Sequence, residues 1–79
     1  MSYGPLVEHL VQSIVSDPGA VQVRETREQG ALVYFVTVAP GDVGKVIGKS
    51  GRVVSAVRYL VSSAAAKSRT KAFVKVVTD

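Results

Sequence analysis

Apolar residues recur at helical spacing through the first sixteen positions. Leu6, Val7, Leu10, Val11, Ile14 and Val15 share one face, and Glu8, His9, Gln12, Ser13 and Ser16 share the other. Ser2 or Gly4 can cap this helix, Pro5 suits its first turn, and Asp17-Pro18-Gly19 stops it. From Ala20 to Glu28 the period shortens to two and the far end is charged, which predicts a strand at a sheet edge. Gln29-Gly30 reads as a hairpin turn. Ala31 to Val38 follows with Leu32, Tyr34, Val36 and Val38 on one face and Val33 and Phe35 on the other. A strand apolar on both faces belongs in the middle of a sheet. Tyr34 and Phe35 read as packing residues rather than as a platform for stacking bases.

Ala39-Pro40-Gly41 ends that strand. Asp42 is the expected N-cap of a short helix, Val43 to Ile47, which stops at Gly48. A longer helix is predicted from Arg52 to Lys67. Its expected buried stripe is Val53, Val57, Leu60, Val61 and Ala64, with Val54 at the shoulder. The last strand, Lys71 to Thr78, should bury Ala72, Val74 and Val76 and turn Lys71, Phe73 and Lys75 outward. The order α-β-β-α-α-β implies an antiparallel hairpin, then a helical crossover to a third strand parallel to the second. The expected fold is a two-layer α+β domain over residues 1–79: a three-stranded mixed sheet with helices on one face and the other face partly open.

The charge is not evenly spread. Residues 1–42 set two arginines against five carboxylates, whereas residues 43–79 set eight lysines and arginines against Asp79 alone. A basic half favours a polyanionic partner, although a solvated basic face remains the plain alternative. There is no cysteine, so a disulfide frame and thiolate chemistry are excluded. No apolar run approaches the roughly 20 residues of a membrane span, and no basic-then-apolar leader opens the chain. These features lead us to expect a cytoplasmic protein. The six carboxylates are scattered and there is one histidine, His9, on a polar helix face. No nucleophile, acid–base or metal-ligand spacing emerges, so neither an enzyme nor a metal or cofactor is expected.

The basic half centres on Gly48-Lys49-Ser50-Gly51, approached by Lys45 and followed by Arg52. Glycines let backbone amides come close to a ligand, and a helix N-terminus attracts anions. Gly48-Lys49-Ser50 spells the end of a nucleotide-binding P-loop, but that motif requires glycine where Val43 stands. No Gly-x-Gly pair supports a dinucleotide site either. A tight helix–helix turn accounts for Gly48 as a C-cap. It accounts less well for Gly51, since glycine in a helix costs about 1 kcal/mol relative to alanine. Nor does it explain the cluster of Lys45, Lys49 and Arg52. The remaining reading is a clamp on a nucleic-acid backbone.

Val46-Ile47-Gly48-Lys49-Ser50-Gly51-Arg52-Val53-Val54 resembles the KH motif V-I-G-x-x-G-x-x-I, with Val54 where isoleucine is usual. The element order resembles the type II arrangement, and the whole chain is similar to small bacterial single-KH-domain RNA-binding proteins of the KhpA type. The resemblance implies that Gly48 and Gly51 admit a backbone of about four nucleotides. It implies that Lys49 and Ser50 face phosphates, that Lys45 and Arg52 flank the path, and that Ile47 and Val54 help floor an apolar groove for unpaired bases. It further implies single-stranded RNA as partner, and a homodimer or a heteromer with a larger KH-domain protein. Chaperone or post-transcriptional roles linked to cell shape and envelope homeostasis are implied as well. Neither a membrane nor a small-molecule substrate is implied. A protein-interaction module with little RNA binding of its own remains the alternative.

Overall fold

The structure, a computed structural model, describes residues 2–78; Met1 and Asp79 lie outside it. The elements are α1 (Gly4–Gln12), β1 (Gln22–Glu28), β2 (Ala31–Thr37), α2 (Val43–Ile47), α3 (Arg52–Ala66) and β3 (Ala72–Val76). Short 3-10 turns at Pro18–Ala20, Pro40–Asp42 and Lys49–Gly51 join them. The fold is α+β, and the predicted order holds.

β2 is central. It pairs antiparallel with β1, Gln22 opposite Thr37 through Glu28 opposite Ala31. It pairs parallel with β3, Leu32 opposite Ala72 through Val36 opposite Val76. The hairpin turns on Gln29 and Gly30, both with positive φ, which matches the twist of the strands it joins. Leu32, Tyr34 and Val36 pack into one core with Val7, Val11, Val46, Val57, Val61 and Ala65, so the helices cover one face of the sheet. Full burial of a valine contributes about 1.5–3 kcal/mol, which makes this layer contact the main source of stability.

Four details differ from the sequence expectation. First, α1 ends at Gln12 rather than running to Ser16; Ser13 Oγ bonds the His9 carbonyl and helps close the last turn. Second, Tyr3 is buried, and its amide donates to the buried Tyr34 hydroxyl at 2.8 Å. That contact spans the chain, so no local pattern announces it. Third, α3 buries Val54, Val57, Val61 and Ala65, while Leu60 is 49% exposed and Val53 and Ala64 are half-buried. The apolar pairs Val53-Val54 and Leu60-Val61 and the run Ala64-Ala65-Ala66 fit two helix phases one residue apart. Packing selects the phase that sets Ala65 into the core.

The fourth difference concerns Asp42. Its side chain does not cap α2. It is buried, and its two oxygens accept from the amides of Ser16 and Asp17 at 3.1 and 3.0 Å. The carboxylate thus ties the loop after α1 to the start of α2. At the far end of α3, the Thr70 amide bonds the Ala65 carbonyl and the Arg69 amide bonds that of Ala66, with Arg69 at φ 56. This is a Schellman closure with arginine where glycine is preferred. The outer edge of β3 is also covered: Arg58 Nε donates to the Val74 carbonyl at 3.0 Å and Ser62 Oγ to that of Ala72 at 3.4 Å. Side chains from α3 thereby occupy acceptors that an edge strand would otherwise offer to another chain. Among the described residues no helix is long and apolar enough to cross a membrane.

Candidate nucleic-acid interface

α2 and α3 meet at the Gly48–Gly51 turn. The Gly48 amide closes α2 on the Gly44 carbonyl at 2.8 Å. Its backbone, φ 76 and ψ 172, occupies a region open essentially to glycine alone. A Cβ at this position would lie 2.7 Å from Val53 Cβ and 2.8 Å from the Val53 amide nitrogen. Gly48 is therefore required by the approach of α3 to α2.

Gly51 is different. It is left-handed, φ 74 and ψ 13, yet an added Cβ would meet nothing within 4 Å. Its missing side chain leaves open space over the start of α3. Ser50 beside it is also left-handed, φ 57 and ψ 27. A non-glycine residue in that region costs about 1–2 kcal/mol, and such strain is concentrated at ligand clamps and switches.

The turn spends part of its own hydrogen-bonding capacity. Gly51 N bonds the Gly48 carbonyl at 3.2 Å, and Arg52 N bonds that of Lys49. Lys49, Ser50 and Arg52 are exposed, so a hydroxyl and two cations share one short surface loop. An anion held there meets a hydroxyl donor and two positive charges.

The other predicted residues are placed less uniformly. Lys45 turns back toward Asp42, 3.8 Å away, and also bonds the Ser16 hydroxyl, so its charge is partly engaged one turn before the loop. Ile47 is half-buried at the entrance to the turn. Val54 is 7% exposed on α3, leaving little surface for a base. Sequence reasoning gave no role to Arg58 and Ser62, which with Phe73 and Val74 line a shallow groove between α3 and β3. Their spacing of four on a helix was the available signal, but the strand they face is fixed only by the crossover.

Two carboxylates have shifted acidity. Asp42 is held below its ordinary value, first by the Ser16 amide and then, against the opposing effect of burial, by the Asp17 amide and Lys45. Glu25 is lowered mainly by the Tyr34 hydroxyl and then by the Ser2 hydroxyl, which donates to it at 2.7 Å. Burial, and the Glu25 carboxylate after it, raises the Tyr34 hydroxyl. All three groups lie away from the glycine turn and act on stability. Among the described residues, no cluster of three or more histidines or carboxylates could hold a metal ion.

Residues 5–76 match the family described as KhpA/KhpB, KH domain. The chain belongs to that family. The RNA-binding protein KhpA of Caldanaerobacter subterraneus subsp. tengcongensis is 39% identical over 74 residues, covering 94% of this chain and 99% of the relative. The KhpA of Oceanobacillus iheyensis is 46% identical over 56 residues, 71% of this chain and 75% of its own. That of Chlamydia trachomatis is 34% identical over 71 residues, 90% and 91% of the two chains. The α-β-β-α-α-β order with a parallel β2–β3 pair makes this a type II KH fold, and the family is non-enzymatic.

Proposed function

We propose that this protein binds single-stranded RNA, holding about four unpaired nucleotides at the Gly48-Lys49-Ser50-Gly51 turn. The observation that carries the reading is the open left-handed backbone of Ser50 and Gly51 beside exposed Lys49 and Arg52. A turn made only to join two helices has no need of strained serine or of that charge. Lys49 and Arg52 neutralise phosphates, Ser50 donates its hydroxyl, and Gly51 leaves room for the backbone. Ile47 offers apolar surface beside the path. Lys45 contributes charge from behind Asp42. The names of the relatives, RNA-binding protein KhpA, support the same ligand class.

One domain spanning residues 1–79 with so small a footprint binds weakly, near micromolar or about −8 kcal/mol. Pairing as a homodimer, or with a larger KH-domain protein, would raise avidity without new contacts. In this reading the protein is a cytoplasmic RNA chaperone or post-transcriptional regulator, with effects on cell shape and envelope homeostasis by resemblance to its family. The deciding experiment is the double replacement Lys49→Asp/Ser50→Asp, assayed by fluorescence anisotropy on a single-stranded RNA. Affinity should fall sharply with little change in thermal midpoint, since both residues are exposed. Unchanged affinity would remove the turn from the mechanism. In the parent, log K should fall with log salt at about −0.7 per phosphate engaged.

A second reading has its own support. Tyr59 is 71% and Leu60 49% exposed on α3, which favours a protein-interaction or dimerisation module. An apolar interface tolerates salt, and phosphate contacts do not, so the salt slope separates the two.

A further inference from the structure

The helices, with the glycine turn between them, cover one face of the sheet. The opposite face plays no part in the reading above. Two cross-strand rows organise it. Arg24, Phe35 and Lys75 stand side by side across the three strands, and Thr26, Val33 and Phe73 form the next row. Phe73 is 52% exposed and Phe35 half-buried, so two aromatic rings lie at the surface on neighbouring strands. The Lys75 ammonium sits 5.9 Å from the centre of the Phe35 ring. Shallow depressions of about 430 and 450 Å³ lie at the two ends, one reaching Arg24 and Phe35, the other Lys71 and Phe73.

The sign of the charge is uneven here too. Arg24, Lys71 and Lys75 face one carboxylate, Glu28, at the rim of the second depression. Exposed aromatic rings between cations are poor design for a face that only meets water. They suit a ligand that alternates flat apolar groups with negative charge. A single-stranded nucleic acid has that composition: every base presents a π-face, and each is followed by a phosphate. A duplex hides its base faces, so it fits less well. A second copy of this chain fits badly, because a two-fold contact through this face would press the same three cations against their own images.

We propose that the open sheet face is a second site for single-stranded nucleic acid. Bases stack on Phe73 and Phe35, and the phosphates between them meet Lys71, Lys75 and Arg24. The Lys75 ammonium leaves the Phe35 ring as a base takes its place and moves to the adjacent phosphate. The site extends the binding surface around the molecule, so that one longer strand can engage the glycine turn and the sheet. It does not depend on the turn for its chemistry.

The chain has no tryptophan, so Phe73→Trp places a single indole on the proposed platform. A twelve-nucleotide adenosine RNA, titrated at low salt, should quench that indole saturably and lose affinity as salt rises. Lys71→Glu/Lys75→Glu should abolish the quenching. Phe73→Leu and Phe35→Leu keep apolar area but remove the stacking face; each should weaken binding at least about fivefold, the low end for base–aromatic stacking. Circular dichroism of each variant checks that the sheet is intact. Placed in the Lys49→Asp/Ser50→Asp background, the indole should still be quenched, at higher RNA concentration. No quenching in the parent, or quenching that vanishes in that background, overturns the proposal. So do leucine variants that bind RNA as the parent does, and if those variants sediment at lower mass the face is a protein contact instead. A turn variant that binds as tightly as the parent while quenching persists would refute the turn's role and leave the sheet site standing.

Discussion

Gly48 and Gly51 carry the same motif letter, yet the structure assigns them unequal costs. Gly48→Ala forces a side chain into a backbone region that costs about 1–3 kcal/mol for a non-glycine residue. It also drives the new Cβ to 2.7 Å from Val53 Cβ and 2.8 Å from the Val53 nitrogen. Part of that clash is with backbone, so relief requires α3 to move, and overpacking of this kind costs about 1–3 kcal/mol more. The sum is about 2–6 kcal/mol. A domain of 79 residues has roughly 4–12 kcal/mol in total. Gly51→Ala meets open space and incurs only the left-handed penalty of about 1–2 kcal/mol. Urea and thermal unfolding followed by far-ultraviolet circular dichroism should therefore separate them. Gly51→Ala should lower Tm by roughly 5–15 °C, using about 4–8 °C per kcal/mol, and Gly48→Ala by more. Ser50→Gly is the internal control. It relieves left-handed strain of about 1–2 kcal/mol, offset by about 0.4–1 kcal/mol for the freer unfolded chain, and should stabilise by up to about 1 kcal/mol. If Gly48→Ala costs no more than Gly51→Ala, α2 and α3 do not pack as described. RNA binding should rank differently: Gly51→Ala, although folded, should bind more weakly because its methyl fills the open approach.

Three further outcomes follow from the same geometry. The Asp42 carboxyl is held below its ordinary value of 3.8, so its contribution is present above that value and is lost as pH falls through the lower folded value. Asp42→Asn should therefore flatten the loss of stability below about pH 5, measured as Tm at pH 7 and pH 3, with Glu25 supplying the part that remains. Arg58→Met keeps the apolar stem but removes the bond to the Val74 carbonyl, and should cost about 1 kcal/mol in urea unfolding. Arg69→Gly places glycine where φ is 56 in the closure of α3, and should stabilise by about 1 kcal/mol, seen as a Tm some 4–8 °C higher.

Much of the fold was legible because it is set by local periodicity and by stop signals. The helical face of Leu6 to Val15, the alternation in β1 and the doubly apolar β2 each express one secondary-structure period. A helical crossover then leaves one sense for β3. Gly48-Lys49-Ser50-Gly51 was legible because glycine spacing and charge are themselves the chemical device. What the sequence left open are choices between near-equal local solutions. The phase of α3 is one: the apolar pattern admits Leu60 inside or Val54 inside, and only the fit of Ala65 into the core excludes the first. The partner of Asp42 is another, since capping its own helix and bridging to Ser16 and Asp17 satisfy the same carboxylate. Tyr3 meeting Tyr34, and Arg58 meeting the edge of β3, join residues 31 and 16 positions apart. The sequence by itself thus determined the elements, their order and the basic glycine turn, because those depend on neighbours along the chain. Tertiary structure decided which face of α3 is wet, that Gly48 serves packing while Gly51 leaves open space, and that Phe35 and Phe73 share a surface with three cations. Those depend on neighbours in space, and no period along the chain encodes them.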